Sequence, residues 1–227
     1  MKKVNVFASL LLCVAILFTG CNASNTVKGT GIGVGAGAGV GAAIGALIGG
    51  KKGAAVGAGV GAAVGGGAGA LIGAKMDKQK KELEAIQGAQ VESTNNGQAI
   101  KVTFGEDGIL FPTGKFELDA TAKSKLTQFA ASLNTHPDTY VEIYGHTDSS
   151  GGDKINIPLS EKRANSVEQF LVSQGVGVFR MASAGLGSSK PVAAEDAKGK
   201  QALNRRVEVY ILPNEKMIQE AEAGTLK

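Results

Sequence analysis

The sequence is poor in the residues that most catalytic and metal sites need. Its 227 residues include two cysteines and two histidines. Both histidines, His136 and His146, lie in the second half of the chain, which has no cysteine, so a transition-metal site is not expected there. His146 lies two residues before Asp148, but no serine or cysteine nucleophile motif accompanies it. The sequence therefore predicts a binding protein rather than an enzyme, with no metal and no cofactor.

Charge and glycine pattern exclude two further classes of site. The formal net charge is +4, but residues 98–213 contain thirteen basic and thirteen acidic side chains. A nucleic-acid-binding surface needs concentrated basic charge, which this part of the chain lacks. The glycines of residues 29–74 are not followed by the Lys-Ser or Lys-Thr of a phosphate-binding loop. Neither nucleic acid nor nucleotide is therefore an expected partner.

The N-terminus has the pattern of a bacterial export signal. Two lysines precede an apolar run over residues 4–18 that is shorter than a typical membrane span. The run ends in Leu-Phe-Thr-Gly-Cys, which resembles the lipobox, with Phe18 where leucine is usual. The resemblance implies a signal peptide over 1–20, lipidation at Cys21 and a short tether over 21–28. The alternative is ordinary cleavage that leaves Cys21 as a free thiol.

A glycine recurs at every fourth position from Gly29 to Gly73, and small or aliphatic residues fill most of the gaps. On a helix these glycines return to nearly the same face and form a groove for close approach of another backbone. Each half of the segment is long enough to cross a bilayer core. We predict a membrane-associated helical hairpin over 29–74, turned at residues 50–53, that contacts lipid or further copies. It resembles the glycine-zipper segments of bacterial outer-membrane lipoproteins; a flexible spacer outside the lipid is the alternative.

The rest of the chain predicts a charged helix and linker, one globular domain and a polar tail. Residues 75–97 begin with charged helix formers, which indicates a solvated helix leaving the membrane. Residues 98–213 alternate strands and helices and predict an α+β sandwich, a mixed β-sheet covered by helices. Residues 214–227 form the tail, which can be a helix. The expected elements are a hairpin of 90–94 with 98–104, a helix over 119–134, and strands at 108–111, 140–144, 180–184 and 207–211.

A strand, a loop and a helix around Asp148 carry the candidate site. Residues 140–144 alternate apolar and polar side chains, which indicates a half-buried strand that ends before Asp148. Ser160 stands where a helix N-cap is expected, which would place Arg163 in the first turn. The two charged side chains would then share one rim. Such a pair suits a zwitterionic ligand, and a plain salt bridge that pins the helix to the loop fits the pattern equally well.

An ordered set of motifs around this segment resembles the C-terminal domain of the OmpA family, the peptidoglycan-associated module. The matching residues are, in chain order, Gly145-His146-Thr147-Asp148, Asn156, Leu159-Ser160, Arg163-Ala164, Val167, Gly185, Pro191 and Asn204-Arg205-Arg206-Val207-Glu208. The resemblance implies a sheet covered by helices and a binding site without covalent chemistry.

In that family, the residues that match Asp148 and Arg163 hold the zwitterionic end of diaminopimelate in the peptidoglycan stem peptide. The resemblance therefore assigns the ligand ammonium to Asp148 and the ligand carboxylate to Arg163. Thr147, Asn156 and Arg205 match positions near that pocket. For Asn156 the alternative is a turn cap, and for Arg205 it is a salt bridge with a surface acid.

These patterns together predict an outer-membrane lipoprotein whose periplasmic domain tethers the membrane to the cell wall through peptidoglycan. Asn22 follows Cys21 and is not the aspartate that retains many bacterial lipoproteins in the inner membrane, which by family analogy favours the outer membrane. The alternative is a self-assembling glycine-zipper membrane or assembly-factor lipoprotein in which the OmpA-like domain is only a tether. Further copies of the chain would then be its main partners.

Overall fold

The structure is a computed structural model that describes residues 66–104, 108–109 and 111–227. The predicted signal peptide, Cys21, the tether and the glycine zipper up to residue 65 lie outside the described residues. The predictions made for them therefore stay predictions.

A five-stranded mixed sheet forms the centre of the described chain. Its order is β1-β2-β5-β3-β4, and all neighbours are antiparallel except the parallel pair β3 and β4. The strands are β1 (Ala89–Thr94), β2 (Ala99–Phe104), β3 (Thr139–Gly145), β4 (Met181–Gly185) and β5 (Val207–Pro213). The expected hairpin is confirmed, since β1 and β2 pair across a turn at Asn95–Gly97. The α+β class with a mixed sheet is confirmed as well.

Four α-helices of the described residues accompany the sheet, and their apolar residues form one core with it. They are α1 (Gly66–Glu84), α2 (Ala120–Thr135), α3 (Asp153–Ser173) and α4 (Glu215–Glu222). The expected helix over 119–134 is confirmed as α2. Asp119 caps it by accepting a hydrogen bond from the backbone N–H of Ala122 at 2.7 Å. The polar tail also contains a helix, α4, which buries Met217 and Ala221.

The strand expected at 108–111 is absent from the described residues of that segment, 108, 109 and 111. Ile109 and Phe111 are instead fully buried in the connection between β2 and α2. Both side chains fill the core beneath a loop, which explains why this segment is apolar. A short apolar run of this kind has the same composition as a strand, which is why the pattern misled.

Helix α3 begins eight residues earlier than expected, at Asp153 rather than after a cap at Ser160. Gly152, whose φ is +66°, precedes it, and Pro158 lies in the second turn. The Ser160 hydroxyl does not cap the helix: it donates to the carbonyl of Ile157 at 2.8 Å and accepts from the N–H of Gly187 at 2.9 Å. Arg163 therefore lies in the third turn of α3, where its side chain is enclosed by neighbouring segments rather than held at the start of the helix.

Two glycines allow α3 to approach the sheet closely enough to bring Arg163 to the strand ends. Gly145 ends β3 and pairs with Gly185 at the end of β4. A Cβ atom on Gly145 would overlap the carbonyl group of Ser160, and one on Gly185 would lie 2.7 Å from the carbonyl oxygen of Ile157. Any larger residue at either position would push the helix away from the strands.

Helix α1 packs on the domain and is not the solvated helix that the charge pattern indicated. Its residues Ile72, Met76, Gln79 and Leu83 are buried, against a core shared with the sheet and α2. One helix crosses the expected boundary between residues 74 and 75 because the apolar positions continue at helical spacing through the charged stretch. Within the described ranges, none of the helices has the length and hydropathy needed to cross a membrane.

Candidate functional site

A cleft of about 300 Å³ opens where β3 ends and α3 begins. All five side chains that the sequence singled out for ligand binding line it: Thr147, Asp148, Asn156, Arg163 and Arg205. The other lining residues are Thr113, Gly114, Ser150, Gly151, Ile155, Leu159 and Lys200. The chain thus brings together residues from four separate segments at one edge of the sheet.

Arg163 lies fully buried at this cleft. Its Nε donates to the carbonyl of Lys115 at 2.9 Å, its Nη1 to that of His146 at 3.0 Å and its Nη2 to that of Pro112 at 3.3 Å. The guanidinium carbon also lies 5.1 Å from the centre of the Phe111 ring. Three of its five N–H groups are therefore used, which leaves two for a ligand.

No carboxylate of the described residues forms an ion pair with Arg163. Burial lowers the pKa of Arg163 to about 10, with a further lowering from the positive charge of Arg205 and a smaller raising from Asp148. That pKa is still far above neutral, so the side chain carries its charge. A buried cation held only by carbonyl dipoles is energetically completed by an anion.

Asp148 pairs with Arg205 rather than with Arg163. Arg205 Nη1 donates to Asp148 Oδ2 at 2.9 Å, and Ser150 Oγ donates to Oδ1 at 2.7 Å. Burial raises the pKa of Asp148, but the hydrogen bonds from Ser150, Arg205 and the N–H of Gln201 outweigh it and hold the pKa below its usual value. The direct Asp148–Arg163 salt bridge considered from sequence is thus not formed.

Asn156 and Thr147 support Asp148 in different ways. Asn156 Nδ2 donates to the carbonyl of Asp148 at 3.0 Å, so the buried amide fixes the backbone of the loop. Thr147 donates its N–H to the carbonyl of Gly187 at 2.9 Å. Its hydroxyl is buried at the cleft and has no hydrogen-bond partner among the described residues. This hydroxyl is free to bond a ligand.

Comparison with known families agrees with this geometry. A model of the OmpA family matches residues 110–205, which include every residue that lines the cleft. The resemblance of this part of the chain to the OmpA family is therefore confirmed. A model of the YMGG-like Gly-zipper family matches residues 1–81, so the glycine-zipper resemblance is confirmed too.

Relatives in this family support the assignment at different levels. The probable lipoprotein YiaD of Escherichia coli K12 is 35% identical over 142 residues, which are 62% of this chain and 64% of that protein. The peptidoglycan-associated lipoprotein of Buchnera aphidicola is 37% identical over 98 residues, which are 43% of this chain and 57% of that protein. The crystal structure of a putative MotB-like protein from Desulfovibrio vulgaris shares the fold, with a TM-score of 0.51 and 23% sequence identity. The match covers 65% of this chain and 96% of that chain. The chain spans less than two thirds of YiaD and of the Buchnera protein.

Sequence reasoning missed the loop that closes one side of the site. Glu195 accepts hydrogen bonds from the N–H and hydroxyl of Ser149 and from Asn204 Nδ2. Asn204, fully buried, also accepts from the N–H of Val192 at 2.9 Å. Asn204 belongs to the family motif, but nothing in the sequence around Glu195 signals this contact.

A second buried charge cluster lies beside the cleft but does not line it. Arg206 donates through Nε and Nη2 to Glu208 Oε1, at 2.9 and 2.5 Å, and Lys101 lies 3.4 Å from the same oxygen. His146 is buried next to this cluster, with Nε2 3.8 Å from Glu208 Oε2. Burial, and then the positive charge of Arg206, lower the pKa of His146 to about 4. His146 is therefore neutral at neutral pH, and it is not among the residues that line the cleft.

Proposed function

We propose that this protein binds the stem peptide of peptidoglycan without covalent chemistry and thereby tethers the outer membrane to the cell wall. The observation that carries the proposal is the buried Arg163 guanidinium, which has two free N–H groups and no carboxylate partner among the described residues. A carboxylate of the ligand completes this site through a paired, charge-assisted contact. The OmpA-family match of residues 110–205 and the name of the Buchnera relative, a peptidoglycan-associated lipoprotein, support peptidoglycan as the source of that carboxylate.

The ligand ammonium is assigned to Asp148. Its carboxylate lines the same cleft, and its depressed pKa keeps it ionised at neutral pH. Arg205 already donates to Oδ2 of Asp148. Arg205 therefore holds this carboxylate in place for the ligand ammonium and does not compete with Arg163 for the ligand carboxylate. The zwitterionic end of diaminopimelate carries both groups that the two side chains require. Binding then needs no bond-making step, which agrees with a role outside enzyme catalysis.

The membrane side of the tether rests on the N-terminal segment. The YMGG-like Gly-zipper match, together with the lipobox-like Cys21, supports anchoring in the outer membrane by acyl chains and zipper. The lipoprotein names of two relatives support the same location. Helix α1 packs on the binding domain and begins within the zipper sequence, so no long linker separates the two along the chain.

Co-sedimentation with purified diaminopimelate-type sacculi tests this function. The purified full chain in detergent is expected to pellet with sacculi, and free diaminopimelate is expected to release it. Asp148→Asn removes the charge at the cleft, whereas Asp153→Asn removes an exposed charge at the start of α3 that does not line it. Loss of pelleting in the first variant alone supports the proposal. Equal pelleting of both variants and wild type would refute it.

A further inference from the structure

The charges that line the cleft do not balance. Four charged side chains face it: Asp148, Arg163, Lys200 and Arg205. Their formal sum is +2, and the single carboxylate is already paired with Arg205. Arg163 and Lys200 therefore remain as two cations for which the described residues provide no ion-pair partner. A zwitterion brings no net charge and would leave this excess uncompensated.

The backbone at Lys200 is fixed next to Asp148. The N–H of Lys200 donates to Asp196 Oδ1 at 2.8 Å, and its carbonyl accepts from the N–H of Asp196 at 3.2 Å. The next N–H, that of Gln201, points to Asp148 Oδ2 at 3.4 Å. Lys200 thus presents its ammonium from an anchored turn, exposed at the cleft, whereas Arg163 is buried.

The two acids in that loop, Glu195 and Asp196, form no ion pair with Lys200. Glu195 accepts hydrogen bonds from Ser149 and Asn204, which use both of its oxygens. Asp196 is committed to the backbone N–H groups of Lys198 and Lys200. The ammonium charge of Lys200 is consequently not neutralised by either carboxylate of the loop.

We propose that Lys200 makes the cleft selective for a stem peptide that offers a second free carboxylate beside the one bound by Arg163. This inference rests on the proposed function and extends it from a zwitterion to a ligand with a net negative charge. The α-carboxyl of the γ-linked D-glutamate that precedes diaminopimelate is a group of this kind. Amidation of that carboxyl removes its charge and with it the contact to Lys200.

Two synthetic tripeptides of N-acetyl-L-Ala, γ-linked D-Glu and diaminopimelate test the inference. In both peptides the diaminopimelate carboxyl that ends the main chain is amidated, and the zwitterionic end of diaminopimelate is left free. The α-carboxyl of glutamate is free in one peptide and amidated in the other. The full chain in detergent is titrated with each peptide by calorimetry. Wild type is expected to bind the free-acid peptide more tightly, by about 1.5- to fivefold, the range of an exposed ion pair. Lys200→Gln is expected to bind both peptides equally, at the affinity that wild type shows for the amide.

Lys198→Gln is the matched control, since Lys198 lies in the same turn, bonds Asp196 in the same way and does not line the cleft. It is expected to keep the wild-type preference. Equal binding of both peptides by wild type, or an unchanged preference in Lys200→Gln, would overturn the role of Lys200 and leave the proposed function standing. Failure of wild type to bind either peptide or sacculi would overturn both.

Discussion

Arg205 and Arg206 are neighbours in sequence but belong to two different kinds of charge cluster. Arg206 donates to the carboxylate of Glu208, which also contacts Lys101 and the hydroxyl of Tyr210. Arg205 lines the cleft and donates to the carboxylate of Asp148. Arg163 lines the same cleft and has no acid partner among the described residues. A buried cation paired with a carboxylate is neutralised within the fold, whereas Arg163, held only by carbonyls, has its charge left for the ligand proposed above. The difference separates the structural cluster from the binding site.

The largest effect is expected from breaking the structural cluster. Arg206→Ala leaves the buried Glu208 without its main partner and is expected to lower the free energy of unfolding by about 3–5 kcal/mol. Urea unfolding followed by circular dichroism measures the change. Lys101→Gln removes a partly exposed partner of the same carboxylate, and its expected cost is below about 1 kcal/mol. Similar costs for the two variants would contradict the assignment of Arg206 as the structural partner.

A pH-dependent effect of intermediate size is expected from His146. Its folded-state pKa of about 4 lies below the ordinary value of 6.5, so the unfolded state binds more protons between these values. Stability is therefore expected to fall as the pH falls from 6.5 to 4, by up to about 3 kcal/mol. His146→Gln should flatten the slope in this window in urea unfolding at several pH values. A variant that retains the full slope would show that another group titrates there.

A smaller effect is expected at the cleft, where one substitution should raise stability and lower affinity. Thr147→Val keeps the shape of the side chain and removes a buried hydroxyl with no partner among the described residues. The free energy of unfolding should rise by about 1 kcal/mol, because an unsatisfied polar group is removed. Affinity for sacculi should fall about threefold, because a ligand hydrogen bond is lost. Higher stability with unchanged affinity would show that this hydroxyl does not contact the ligand.

The sequence predicted which side chains meet at the cleft better than how they pair. Asp148 follows from a strand end that leaves a local pattern in the sequence, whereas Arg163 was placed from a helix start that was wrong and reaches the cleft from further along α3. The partner of Asp148 is Arg205, 57 positions away, and only the fold reveals that contact. The groups that bind Arg163 include the carbonyls of Pro112 and Lys115. Backbone carbonyls are present in every residue, so no sequence pattern identifies them.

Helix positions show the same limit in another form. The start of α3 was misplaced because Ser160 has the side chain of a cap but bonds Gly187 instead, a contact made by a distant loop. The packing of α1 was missed because charged residues dominate its second half, where Met76, Gln79 and Leu83 are buried at helical spacing. Local propensity determined the type of these elements, and tertiary contacts decided their limits and surroundings.

The most direct test of carboxylate binding compares two arginines that make similar contacts in different places. Arg163 and Arg180 both donate to backbone carbonyls, Arg180 to those of Leu133 and His136, but only Arg163 lines the cleft. Arg163→Lys and Arg180→Lys each keep the charge and lose the planar fork. In co-sedimentation of the folded full chain with sacculi, Arg163→Lys is expected to lose at least about tenfold in affinity, the effect of about 1.4 kcal/mol, while Arg180→Lys binds like wild type. Equal binding by both variants would contradict the assignment of Arg163 as the carboxylate-binding residue.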